Sequence, residues 1–343
     1  MSTSFWATAR PAERFSSAVL RQLLDHVDDD TPPSGPHGPV ARLERRIADL
    51  LGTESALFFP TGTMAQQVVL RIHAARRARP GFAAHPQTHL ELWEGQGYQV
   101  VHGLRFHPAG DRHRLMTTAD LAAIGEPLAA VLWELPQRDI GGQLPEWEDL
   151  AEQVATARTR GAAAHLDGAR VWEAQTYLAW YTRSPENKGL QGIRGAVLAA
   201  DAATIAEAMP WRTRLGGAIH DAWPLALAAL VGLDTLVPRM PAFREHAIAI
   251  AAAINADGAA LAWPDPPQTP IFHVHLPAPV PAVERAGAAM VAEHGTQLFG
   301  RVRSAPDPTR CSFEVSVGEN AMQFSPAEVV ELVHELLRRA AVA

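Results

Sequence analysis

Helical and extended patterns alternate through the first two thirds of this chain, which restricts the fold to an α/β layer architecture around a mainly parallel sheet. Val40 to Leu51 spaces Leu43, Ile47, Leu50 and Leu51 as on one side of a helix, with Glu44, Arg45 and Arg46 on the other. Ala56 to Phe59 then reads as extended, Thr61-Gly62-Thr63 as a turn, and Met64 to Ala75 as a helix. Strands are predicted at Ala129 to Leu135, at Ala162 to Leu166 and at Gly195 to Ala200, with a helix from about Leu150 to Arg158. Beyond about Pro238 the pattern restarts with a helix through Ala247 to Ile254 and a Pro-rich turn from Pro264 to Pro270. Strands near Ile271 to Leu276, Gln297 to Val302 and Cys311 to Val317 follow, with helices near Val283 to Glu293 and Pro326 to Ala340. The expected organisation is a large domain over residues 1–240 and a small α+β domain over residues 241–343.

Charge and composition narrow the classes of function. A net charge of -7 without a basic stripe offers nucleic acid no footprint. The longest apolar run, Ala222 to Leu233, is too short to cross a bilayer and contains Pro224, so no membrane role is expected. The lone cysteine, Cys311, cannot close an internal disulfide, and Met1 to Arg10 lacks the apolar core of a signal peptide. A cytoplasmic protein is the expectation.

A single lysine, Lys188, stands among 30 basic residues. A guanidinium stays protonated, whereas a desolvated lysine can lose its proton and condense with a carbonyl, so the position is a candidate covalent anchor. A stray lysine in an arginine-rich composition is the plainer account. The turn Thr61-Gly62-Thr63 presents helix-terminal amides and two hydroxyls to an anion such as phosphate, although an ordinary helix cap has the same appearance. Neither a Walker loop nor a dinucleotide glycine fingerprint is present.

His165-Leu166-Asp167-Gly168-Ala169-Arg170 puts an acid at the end of a buried strand, where open α/β sheets hold ligands. A carboxylate buried there needs a cationic partner, either Arg170 or a protonated ring nitrogen of a ligand. His89, within Thr88 to Glu94, is a candidate to stack on a flat ring, or else an ordinary core or surface histidine. A phosphate cup, a pyridinium partner and an imine-forming lysine are together the demands of pyridoxal 5′-phosphate. A metal site has thinner support: His273 and His275 share one face of a strand, no third ligand is suggested, and two solvent-facing histidines are the simpler reading.

In order along the chain, Phe59-Pro60-Thr61-Gly62-Thr63-Met64-Ala65, Thr88-His89-Leu90, His165 to Arg170, Lys188-Gly189-Leu190 with Gly192, and Leu215-Gly216-Gly217 resemble the motifs of the threonine aldolase and β-eliminating lyase family. The resemblance spans roughly residues 35 to 340 and implies a fold type I pyridoxal-phosphate enzyme. It implies that Gly62 and Thr63 hold the cofactor phosphate, that His89 stacks on the ring and takes part in proton transfer, and that Asp167 pairs with the ring nitrogen. It implies that Lys188 binds the cofactor as an imine and that Arg170 and Arg310 grip the substrate carboxylate. The implied reaction is cleavage of Cα–Cβ in a β-hydroxy amino acid, or β-elimination, by a homodimer or homotetramer.

The chain departs from the family pattern in three respects, the two N-terminal replacements being one of them. Glu91 stands where a second histidine is usual, and the N-terminal signatures are replaced by Ala9-Arg10-Pro11 and by Ser34-Gly35-Pro36-His37-Gly38. Between Asp167 and Lys188, Val171 to Trp180 reads as a helix, and Tyr181 to Asn187 is too polar for the central strand expected to deliver the lysine. The alternative expectation is therefore a catalytically impaired or cofactor-free relative kept as a folded oligomeric or binding protein.

Overall fold

Pro39 opens helix α1 (Pro39–Leu51) where an N–H would have no helical partner, and Leu43, Ile47 and Leu51 bury one stripe of it. Strand β1 (Ser55–Phe59) leads from there into helix α2 (Gly62–Arg77). This helix begins two residues before the predicted start because Thr61 caps it: the residue is extended and its hydroxyl accepts from the Met64 amide at 3.2 Å. The structure, a computed structural model, describes residues 20–21, 23–27, 30–174 and 195–342.

The chain divides into two units. The first, over Arg14–Ile140 and Leu144–Pro238, continues with β2 (Gly81–Ala84), α3 (His89–Trp93), α4 (Gly97–Val100), β3 (Arg105–Pro108) and α5 (Thr118–Ala122). Then come β4 (Ala130–Glu134), α6 (Trp147–Thr159), β5 (Ala163–Asp167), α7 (Val171–Ala174), β6 (Ala196–Ala200), α8 (Ala202–Arg214) and α9 (Trp223–Thr235).

Four strands form a parallel sheet in the order β3–β2–β4–β5, and β1 pairs antiparallel with β6. Every residue of β4 is buried, as a strand covered on both faces requires. Strand β5 is different: Ala164 is exposed, Leu166 is half-buried, and β4 is its only strand neighbour among the described residues. Residues 181–187, where the sequence lacks the expected central strand, lie outside the described residues.

Helix α2 is held on both sides. Val68, Val69 and Ile72 pack with Leu57, Phe59, Leu198 and Ile205, while Leu70 joins Phe82, Leu90, Tyr98 and Leu132 in a neighbouring cluster. Each fully buried side chain of this size contributes about 1.5–3 kcal/mol, so the helix is firmly indexed to the strands beside it. The apolar run at Ala222 becomes α9, 13 residues long with Ala226 to Leu233 buried.

The second unit comprises Arg239–Ala343 with Gly141–Gln143. Its elements are α10 (Met240–Asp257), β7 (Leu261–Trp263), β8 (Ile271–Leu276), α11 (Val280–His294), β9 (Val302–Ser304), β10 (Cys311–Ser316) and α12 (Pro326–Val342). The antiparallel sheet runs β7–β8–β10–β9, and Phe272, Val274, Phe313 and Val315 share a core with Phe243, Ile250, Val283 and Leu336 of the helices.

Two expectations for this unit need correction. The strand predicted at Gln297 to Val302 instead starts at Val302, which pairs with Phe313; Leu298 is a buried core residue, and the Phe299 ring packs on Phe313 at 5.2 Å. His273 does not face solvent: it is 6% exposed, directly opposite Glu314 in the ladder. No group of three or more His, Cys, Asp or Glu side chains suited to a metal occurs among the described residues.

Candidate active site

Parallel strands β4 and β5 end side by side on two carboxylates, Glu134 and Asp167, which are register partners. This carboxyl edge of the sheet is where such folds gather ligands. Asp167 is 3% exposed; its Oδ2 accepts from Gln66 Nε2 at 2.6 Å and its Oδ1 from the Ala169 amide at 3.0 Å. Both donors are neutral. Arg170 directs its guanidinium at the buried Glu173, 3.3 Å away, so the local Asp–Arg pair weighed from sequence is not how Asp167 is satisfied among the described residues.

Above the sheet, Gly62 and Thr63 form the first turn of α2, with their amides at the positive end of a 16-residue helix. Thr61 spends its hydroxyl on the cap, leaving Thr63 as the second hydroxyl of the turn. Gly217 lies against the Met64 side chain: a Cβ there would collide with Met64 Sδ, so the Leu215-Gly216-Gly217 motif leaves room for that thioether.

His89 opens α3. Its amide donates to Glu134 Oε2 at 3.2 Å, and its ring Nδ1 lies 3.1 Å from Glu94 Oε1. Glu94 also accepts from Gln67 Nε2 at 3.0 Å. Glu91, at the usual place of the second histidine, accepts instead from Tyr98 Oη at 2.5 Å and from Gln96 Nε2 at 3.3 Å. Burial and that carboxylate raise the Tyr98 phenol above its ordinary range, so it acts as a donor at neutral pH.

Behind Asp167, α2 continues its polar stripe along β5. His73 meets His165 edge-on with ring centroids 6.4 Å apart, and Arg77 reaches the Gly161 carbonyl at 2.8 Å. Burial pushes His165 down to about 4, and burial together with the His165 ring pushes His73 down to about 3, so both rings are neutral at pH 7.

Lys188 lies outside the described residues. Arg310 stands in the second unit at the head of β10, exposed, with its Nε 3.9 Å from Asp307 Oδ2. Gln66, Gln67, Glu94 and Glu134 enter the site without a motif to mark them. The signals were present: two adjacent glutamines in an otherwise apolar helical face, and an acid five residues after His89.

The residues present fit pyridoxal phosphate. A carboxylate buried at this edge, with only neutral donors among the described residues, suits a protonated ring nitrogen; the α2 terminus supplies amides for a phosphate, and His89 offers a flat face.

Comparison with known proteins agrees. Residues 16–278 match the beta-eliminating lyase family model. Low-specificity L-threonine aldolase 1 of Arabidopsis thaliana is 26% identical over 268 residues, covering 72% of this chain and 73% of that protein. The Escherichia coli K12 low specificity L-threonine aldolase is 28% identical over 274 residues, covering 72% and 78%. A solved Listeria monocytogenes protein, named as a candidate L-allo-threonine aldolase, superposes with a TM-score of 0.88 at 30% identity over 98% of this chain and 96% of its own.

Proposed function

This chain belongs to the beta-eliminating lyase family, and from that premise we propose that it breaks the Cα–Cβ bond of a β-hydroxy amino acid, releasing glycine and an aldehyde. β-Elimination is the related outcome for a substrate with a good β leaving group. Pyridoxal 5′-phosphate, the family's cofactor, supplies the electron sink for the pair left on Cα.

The observation that carries this reading is Asp167: a buried carboxylate at the carboxyl edge of the parallel sheet whose hydrogen bonds, among the described residues, come from Gln66 and a backbone amide. An anion so placed gains most from a cation held against it, and it keeps a ring nitrogen protonated. In this reading Gly62 and Thr63 hold the phosphate, His89 backs the ring and moves the substrate proton, and Lys188 is the covalent anchor. Arg170 and Arg310 serve the substrate carboxylate, which turns the bond to be broken out of the ring plane. A homodimer or homotetramer working in the cytoplasm belongs to the same proposal, supported by the family resemblance and by a lone cysteine that burial pushes up to about 11 and so keeps as an inert thiol.

The single lysine makes the test sharp. Protein saturated with cofactor and reduced with borohydride should carry the label at Lys188, Lys188→Ala should carry none, and wild-type protein should convert a β-hydroxy amino acid to glycine. Failure to retain cofactor at saturation, or a label away from Lys188, would refute the reading.

A further inference from the structure

We propose that Glu94, clamped by Gln67, is a positioning residue that fixes the protonation pattern of the His89 ring. This rests on the reading of His89 as a group that faces the cofactor and handles a proton. The side chain of Glu94 is 1% exposed and divides its oxygens, Oε1 to His89 Nδ1 at 3.1 Å and Oε2 to Gln67 Nε2 at 3.0 Å.

A carboxylate only accepts, so the hydrogen of the neutral imidazole sits on Nδ1 and the lone pair on Nε2. Nε2 is thereby the atom that takes or returns a proton. The backbone of His89 is held independently by Glu134, and Glu94 acts on the ring.

A second observation comes from the packing around the clamp. Gln67 is 6% exposed, and a Cβ placed on Gly97 would stand 2.6 Å from its Nε2 and 2.9 Å from its Oε1. Gly97, at the first position of α4, leaves the space that the amide occupies. Helix α2 thus holds both acids through adjacent glutamines: Gln66 donates to Asp167 and Gln67 to Glu94.

The clamp predicts a reversal and a rescue. In Glu94→Leu nothing at residue 94 accepts from Nδ1. The imidazole hydrogen then moves to Nε2, and Nε2 can no longer act as a base. In Glu94→Gln both amides can turn, Gln67 offering its oxygen to the new NH2 and residue 94 its oxygen to Nδ1–H, so the original tautomer returns.

The experiment is nitrogen NMR of His89 in protein without cofactor, for wild type, Glu94→Leu and Glu94→Gln, beside turnover of a β-hydroxy amino acid by the loaded proteins. The expected result is Nδ1–H, then Nε2–H, then Nδ1–H, with kcat falling about a hundredfold or more in Glu94→Leu and recovering in Glu94→Gln. Loss confined to KM, or an unchanged tautomer in Glu94→Leu, overturns the proposal. Should wild type turn over no amino acid, the aldolase reading fails by itself, and the NMR series still decides the clamp.

Discussion

Acid should weaken this fold through one buried ring, His165. The perturbation is a shift from pH 7 to pH 5 in cofactor-free protein, compared between wild type and His165→Asn. In the fold His165 is held neutral by burial with a pKa of about 4, whereas an unfolded chain leaves it at its ordinary value of 6.5. The unfolded state therefore binds more protons between those values, so stability is full above about pH 6.5 and declines as pH falls toward 4. At pH 5 the loss amounts to about 2 kcal/mol, because each pH unit below 6.5 costs about 1.36 kcal/mol while the unfolded ring is charged and the folded one is not. His73, 6.4 Å away and lowered to about 3, acts with the same sign. Carboxylates elsewhere titrate equally in both proteins and cancel in the comparison. Urea unfolding at the two pH values provides the assay, and wild type should lose about 2 kcal/mol more than the variant. Equal losses, within about 0.5 kcal/mol, would show that His165 is not held neutral by the fold and would refute the argument.

Gly217→Ala should push the Met64 side chain aside and cost about 1–3 kcal/mol of stability or less, with Met64→Ala in the same chain relieving the clash; urea unfolding of the two variants reads both. Gln66→Leu removes a charge-assisted donor from buried Asp167 and should cost about 1–3 kcal/mol of stability in the cofactor-free protein, less in the loaded one because a ring nitrogen can satisfy the carboxylate. A loss equal in both forms, measured by thermal unfolding with and without cofactor, would count against the ring-nitrogen role of Asp167.

Much of this arrangement is legible in the sequence. The alternation of β1, α2, β4 and β5 places Thr61 to Thr63 and Asp167 at the ends of elements, because buried strands and amphipathic helices leave strong periodic marks. Strands β2 and β3 leave none: Gly81 to Ala84 has no β-branched residue, and Arg105 to Pro108 is a partly exposed edge. The predicted strand at Gln297 fails because Leu298 and Phe299 pack into the core ahead of the ladder, and one apolar cluster looks like another over so short a span. Glu94 is illegible for a different reason. Its contact with Gln67 joins positions 27 residues apart, and a lone acid closing a short helix reads as solvated until the fold buries it.

Helix α2 is also a lever. Thr63 and Arg76 lie 13 residues apart on it, about 20 Å at 1.5 Å per residue. Its far end is tethered at the surface, where Arg76 binds Glu207 at 2.9 Å and Thr204 at 2.9 Å. A tilt of about 3° pivoting there would sweep the amide cup through about 1 Å, a displacement of the size that changes rates about a hundredfold. Gln66 and Gln67 would travel with it, so their mutual spacing survives while the whole set is re-aimed. The buried clusters on both sides of the helix oppose such a tilt, so the amide cup keeps its aim when salt screens the exposed Arg76–Glu207 pair.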